Sequence, residues 1–327
     1  MIPQSTFMIM ANILPDREDQ LRSLLASMNM APGMANPKND LIPFYQFKQL
    51  HVARFAIIRA NSNEDIARHG IEPETWSPRL AFLGDIDGDP DLFLAELALR
   101  ADQGLRKIFS HCQNFDVSDG TLLAWLRENS LSPSANYINW RGRSVAQIRE
   151  EMALSEALNL KLTEINASSD IDDPIVLHDR LQKFVKDETA SLRLRLSPQP
   201  PTPAGWWLRN FVHLLCLPLF LILLSPILLV GLPFYLFYLR RLENSDPDNS
   251  LRADREHVRE LKNQEDIDVT NHFNVFGQVK PGRFRNYTLR FLLWVLDYAS
   301  RHVYHCGFLA RVQTIHFARW VLLDNNK

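Results

Sequence analysis

The chain has 327 residues, 46% of them hydrophobic, and its 36 lysines and arginines nearly balance 38 aspartates and glutamates, for a formal net charge of −2. Interspersed, near-neutral charge excludes the basic footprint of a nucleic-acid-binding protein, and the length allows two domains. Cys112, Cys216 and Cys306 are odd in number and lack metal-ligand spacing, which points to free thiols in a reducing compartment.

The opening MIPQSTFMIM has no charged n-region and runs straight into a strand pattern, TFMIMANI, so no signal peptide is expected. After the turn ILPDR, Leu21, Leu24, Leu25 and Met28 recur at the spacing of one helix face. QLHVARF then reads as a strand carrying His51 and Arg54. Beyond a polar stretch with Pro73 and Pro78, RLAFLGDIDG reads as another strand. DPDLFLAELALRADQGLRKIFSHC reads as one long helix opened by Asp89 at its N-cap and Pro90 in its first turn. The order strand-helix-strand-strand-helix over residues 1–116 is that of a ferredoxin-like module, an antiparallel sheet with helices on one face.

Residues 117–197 form a helical middle region: DGTLLAWLRENSL, SVAQIREEMALSEALNLKLTEI and IVLHDRLQKFVKDETASLRLRL all carry helical periodicity. NWRGR, Asn139 to Arg143, reads as a solvated basic turn ahead of a helix. The alternative is an anion site, since helix N-termini bind anions. SPQPPTPAG makes 198–205 a semi-rigid linker.

The segment 206–241 follows, with no charged side chain over the twenty-nine positions from Phe211 to Leu239. Such a run marks membrane association; it is long for one crossing and short for a hairpin of two. Pro218, Pro226 and Pro233 favour a monotopic or re-entrant form bent near Ser225-Pro226 over a tilted, kinked transmembrane helix. Arg209 on one side and Arg240 with Arg241 on the other place both ends at the cytoplasmic face, and Trp206 and Trp207 suit the headgroup level.

The remaining stretch, 242–327, repeats the first unit. TIHFARW near the end matches QLHVARF, and VKPGR precedes His316 by thirty-five positions as ILPDR precedes His51 by thirty-six, counted from Pro281 and Pro15. Between them Leu289, Leu292, Leu293 and Leu296 repeat the helix pattern, after the apolar stretch HFNVFGQV. Only eight residues follow Arg319, so the second module is expected to be incomplete. If the two modules pair sheet to sheet, the chain joining them starts and ends on one side of the bilayer, which again favours the re-entrant form.

Tandem modules of this order resemble the dimeric α+β barrel superfamily, which includes dye-decolorising peroxidases and chlorite dismutase-like haem proteins. NQEDIDVTNHFNVFGQVKPGRFRNYTLRFLLWVLDYASRH, TIHFARWVLLD and YINWRGRSVAQIREEMAL resemble an uncharacterised family of bacterial membrane-associated proteins. That resemblance covers most of the chain and implies fold and location without an activity.

Residues alternate faces along a strand, so His51 and Arg54 are expected on opposite faces, and likewise His316 and Arg319. Sheet pairing then brings two His or two Arg together. One reading makes them a catalytic or ligand site formed by His51, His316, Arg54 and Arg319; the other makes them satisfied core groups, each Arg pairing a carboxylate. GDIDG, Gly84 to Gly88, resembles the Gly-x-x-Asp-Gly pattern of dye-decolorising peroxidases, which implies Asp87 as an acid beside haem with His178 as its axial ligand. The same letters also fit a strand-turn-helix junction. Arg283, Arg285 and Asn271 are candidates for lipid headgroups or an anionic substrate. His302 and His305 stand one helical turn apart without a third ligand, so no metal is predicted. The expected function is binding or modifying an apolar or lipid-derived small molecule at the membrane, with a haem-dependent peroxidase-like oxidoreductase and a non-catalytic membrane scaffold as alternatives.

Overall fold

The computed structural model describes residues 1–31, 34–59, 77–116, 121–168, 173–247, 277–304 and 315–323, with isolated positions between them. The chain begins with β1 (Gln4–Asn12) and α1 (Glu18–Ala26), then a small hairpin of β2 (Asn29–Ala31) and β3 (Met34–Ala35), then β4 (Leu50–Ile58) and β5 (Arg79–Asp87). β1 and β4 both pair antiparallel with β5, in the order β1-β5-β4. Phe7, Ile9, Leu80, Phe82 and Ile86 face a helix-covered core; Met8, Met10, Ala81 and Leu83 face the other way into a second, smaller core. Both faces are covered, which is why TFMIMANI is apolar throughout instead of alternating with polar residues.

The expected single helix after β5 is two, α2 (Pro90–Arg100) and α3 (Asp102–Phe109), broken at Ala101. Asp89 caps the first, accepting from the backbone N–H groups of Asp91 and Leu92. The break lets α3 come close against the loop before β4: a Cβ on Gly104 would lie 1.8 Å from the Leu41 carbonyl oxygen. α4 (Leu122–Glu128) follows, and the chain after it pairs briefly with the free edge of β1, Met10 donating to the Asn129 carbonyl at 3.0 Å and Leu131 to that of Met8 at 2.8 Å.

The middle region is not wholly helical. Ala135–Ile138 (β6) is a strand, and only then come α5 (Val145–Ser168) and α6 (Pro174–Ala190). α7 (Ala204–Asn244) is one continuous helix of 41 residues that contains Pro218, Pro226 and Pro233, where a pair of helices bent at Ser225-Pro226 was expected. Its mean hydropathy reaches 2.7 over its most apolar window, and none of its residues is buried. α8 (Arg283–His302) and β7 (Phe317–Trp320) complete the chain.

α8 lies along α7 in the opposite direction, its C-terminal His302 beside His213, Trp294 beside Phe220, and its N-terminal Phe284 beside Tyr238. Its other side packs on β6. β7 pairs antiparallel with β6, from Ala135 opposite Trp320 to Ile138 opposite Phe317, and Val321 and Leu323 pack against the smaller core. The repeated strand therefore finds its partner in the middle region, where strands of its own unit were expected. The expected first strand of that unit, HFNVFGQV, lies partly outside the described residues, and its described positions form no strand.

Candidate functional site

Two clusters of polar side chains stand out, both bordering the β6–β7 pair. The first lies between β7 and the main sheet and gathers most of the residues predicted from sequence. The pairing of β4 with β5 slips by one residue between Leu50 and Val52, so His51 is the extra residue of a bulge. That bulge corrects the expected alternation, because it turns His51 toward the face that carries Asp85 and Asp87. His51 Nε2 donates to Asp87 Oδ1 at 2.9 Å, with the two side chains 5% and 7% exposed. The other carboxylate oxygen of Asp87 accepts the backbone N–H of Val145 at 2.7 Å and so caps the first residue of α5. The Gln4 amide nitrogen stands 3.4 Å from His51 Nε2 and donates to the Arg143 carbonyl at 2.8 Å.

Beside this pair, Arg319 reaches across from β7. It meets Asp85 Oδ2 at 2.5 Å, the Phe7 carbonyl at 2.9 Å and the Gly84 carbonyl at 3.2 Å. Burial pushes the Asp85 carboxyl above its usual range, although the charge and hydrogen bond of Arg319 act against that shift; burial likewise lowers the Arg319 guanidinium. Arg54 adds positive charge near Asp85 and donates to Asn274 Oδ1 at 2.7 Å.

The four residues expected to act together are therefore divided. His51, Arg54 and Arg319 share this ionic centre, whereas His316 stands in the bend before β7, exposed, and among the described residues contributes its carbonyl, which accepts from the Asn139 backbone N–H at 2.9 Å. The centre is built of paired charges, His51 with Asp87 and Arg319 with Asp85, while the buried Asp85 Oδ1 has no hydrogen-bond partner among the described residues.

The Gly-x-x-Asp-Gly stretch has an architectural explanation. A Cβ on Gly84 would lie 2.6 Å from the Phe7 ring and 2.5 Å from the Val52 carbonyl, and Gly88 has φ +94°, a conformation that favours glycine. Asp87 is fully engaged. His178 stands on α6 with its side chain 67% exposed, beside Asp179 and Gln182, and no contact among the described residues links it to Asp87. In this structure Asp87 pairs with His51 and caps α5, and His178 is a surface residue.

The headgroup candidates also separate. Arg285 is buried in an ion pair with Asp246 Oδ1 at 2.5 Å and donates to the Leu242 carbonyl at 2.9 Å, tying the end of α7 to α8, so it is not available to a ligand. Arg283 is exposed at the start of α8, and Asn271 lies outside the described residues.

The second cluster was not predicted. Where α7 begins, His213 Nε2 donates to Asp297 Oδ2 at 3.2 Å and its Nδ1 lies 2.8 Å from His302 Nε2, while the Asn136 backbone N–H donates to Asp297 Oδ1 at 3.2 Å. Arg141 donates to the Arg301 and Ser300 carbonyls at 2.6 and 2.9 Å, satisfying groups at the C-terminal end of α8. Burial, then the neighbouring His213 and the cations Arg141 and Arg301, lower His302 to about 4. A cavity of about 190 Å³ opens beside this cluster, walled by Arg141, Arg301, Asp297, Asn136, Gln4 and Trp206 among others. The sequence carried three separate hints of it: the basic turn NWRGR, a histidine inside an otherwise apolar run, and His302 near the end of a helix. His305, the other half of the weak metal spacing, lies outside the described residues. No family model, curated protein or solved structure matches the chain.

Proposed function

We propose that the protein is a monotopic membrane protein that binds an apolar or lipid-derived small molecule at the bilayer surface. The observation that carries this reading is α7, 41 residues long and without a single buried residue, lined along one side by α8. An upright α7 would draw α8 into the hydrocarbon together with the exposed Arg290 and with Asp297, at a cost of several kcal/mol (about 2.5–3.5 for each charged group). A helix lying in the plane of the interface leaves α8 on the protein side and turns its free apolar face to lipid. Arg209, Arg240 and Arg241 at the two ends favour the cytoplasmic face.

The order β1-β5-β4, with α1 joining β1 to β4 and α2 following β5, supports a ferredoxin-like reading of the first module. The contact of β7 with the main sheet supports a barrel-like arrangement in which the repeated strand closes over the sheet's second face. Accessibility tags placed before Trp206 and after Arg241 are expected to report the same side of the membrane, and opposite sides would sink the in-plane reading. Solvent extraction of the purified protein followed by mass spectrometry is expected to recover a bound lipid-like molecule. Recovery of none would leave a scaffold anchored by α7, a reading favoured by the pairing of His51 with Asp87 and of Arg319 with Asp85.

A further inference from the structure

The cavity at the start of α7 has a charge balance that its own neighbours do not cancel. Two guanidinium groups, Arg141 and Arg301, line it against one carboxylate, Asp297. Both oxygens of that carboxylate are already taken, one by the Asn136 backbone N–H and one by His213. Arg141 spends two of its donors on helix carbonyls, and its guanidinium is lowered to about 10 by burial first and by Arg301 second. Arg301 has no ion-pair partner among the described residues. Burial, then the neighbouring His213 and the two guanidinium groups, hold His302 at about 4, so at neutral pH it adds no charge of its own.

Two further groups narrow the ligand. Asn136 contributes to the cavity wall, and its side-chain oxygen is buried without a hydrogen-bond partner among the described residues, so a ligand donor that reached it would satisfy it. Trp206, in the first turn of α7, forms the wall on the membrane side, and its neighbour Trp207 is 61% exposed, the placement of an aromatic residue at headgroup level.

We propose that this cavity binds a phosphate ester carrying a neighbouring hydroxyl, the chemistry of a glycerophosphate headgroup, with Arg301 and the free donors of Arg141 on the phosphate and Asn136 Oδ1 on the hydroxyl. The phosphate balances the unmatched guanidinium charge, and the hydroxyl satisfies the buried acceptor. A cavity of this volume accommodates a headgroup and not a whole lipid, whose chains would pass Trp206 to the bilayer. The membrane reading enters only in the source of the ligand, which is either a phosphatidylglycerol headgroup or free glycerol 3-phosphate.

The test uses the full chain in detergent, with dioctanoyl phosphatidylglycerol, glycerol 3-phosphate and dioctanoyl phosphatidylcholine as calorimetric titrants, and melting and circular dichroism to confirm the fold of each variant. Binding of phosphatidylglycerol with weak or absent binding of phosphatidylcholine is expected, and Arg301→Gln is expected to weaken it by about tenfold or more, the scale of one lost charge-assisted hydrogen bond. Arg301→Lys should recover part of the loss, and Arg180→Gln on exposed α6 should leave affinity unchanged. Equal affinity for glycerol 3-phosphate and phosphatidylglycerol assigns the site to the free ester; tighter binding of phosphatidylglycerol assigns it to the lipid. Failure of both to bind, or binding indifferent to a folded Arg301→Gln, overturns the proposal. Flotation with vesicles of phosphatidylcholine alone reads the anchor separately: binding there with no headgroup selectivity defeats this inference and leaves the membrane reading standing, and soluble-ester binding without flotation does the reverse.

Discussion

The strands β4 and β7 share the letters His-x-Ala-Arg-aromatic and use them in opposite ways. In β4 the histidine is the buried member, held by Asp87, and the arginine reaches outward to Asn274. In β7 the arginine is the buried member, held by Asp85 and two carbonyls, and the histidine is exposed before the strand begins. The difference comes from what each strand pairs with. β4 lies on the edge of the main sheet with a bulge at His51, whereas β7 pairs with β6 and crosses over the main sheet's second face. Repeated letters do not carry repeated roles when the partner changes.

Stability measurements can break that comparison, and the largest effect is expected at Arg319. Arg319→Leu leaves Asp85 charged and buried with its main partner gone and should cost about 3–5 kcal/mol in chemical unfolding. The deficit should shrink on acidification. Asp85 has a folded pKa raised above its unfolded value, so between the two the folded state holds the extra proton and stability rises as pH falls. Pairing Arg319→Leu with Asp85→Leu should restore most of the loss, because removing both charges removes the unmatched one.

His51→Phe is expected next. It strands Asp87 Oδ1 in a buried site and should cost about 1–3 kcal/mol, with a matching loss of hydrogen-exchange protection at the start of α5, where Asp87 holds the Val145 amide. Arg54→Ala removes a hydrogen bond to an exposed partner, and a loss of about 1 kcal/mol or less is expected. His316→Phe should shift stability by no more than about 0.5 kcal/mol. If His316→Phe instead proves as costly as His51→Phe, the asymmetry between the two strands is wrong.

Much of the scaffold could be read from the sequence because its cause is local. Leu21 with Leu24 and Leu25, and Leu289 with Leu293 and Leu296, mark α1 and α8 by periodicity, and Asp89-Pro90 marks the start of α2. The exposed apolar α7 is a matter of composition. The candidate sites were less accessible for physical reasons. One inserted residue at the β4 bulge reverses the face of His51, and no alternation rule counts a bulge in advance. The pairing of β6 with β7 joins segments far apart in the chain, so Arg319 could be predicted to meet a carboxylate but not which one. The cluster at Arg141, His213, Asp297 and His302 draws one residue from a turn and three from two helices, each ordinary in its own segment.

α7 is fastened to α8 at both ends. Lys280 and Arg285 grip Glu243 and Asp246 at one end, and His213 meets Asp297 and His302 at the other. A rod pinned at two separated points cannot swivel independently of what it is pinned to. Any tilt or bending that a curved or thinning membrane imposes on α7 must therefore pass as torque through α8 into β6, whose strand partner carries Arg319 into the ionic centre. Were α7 to rest on a bilayer as proposed, it would act as a coupled part of the fold and not as a passive tether.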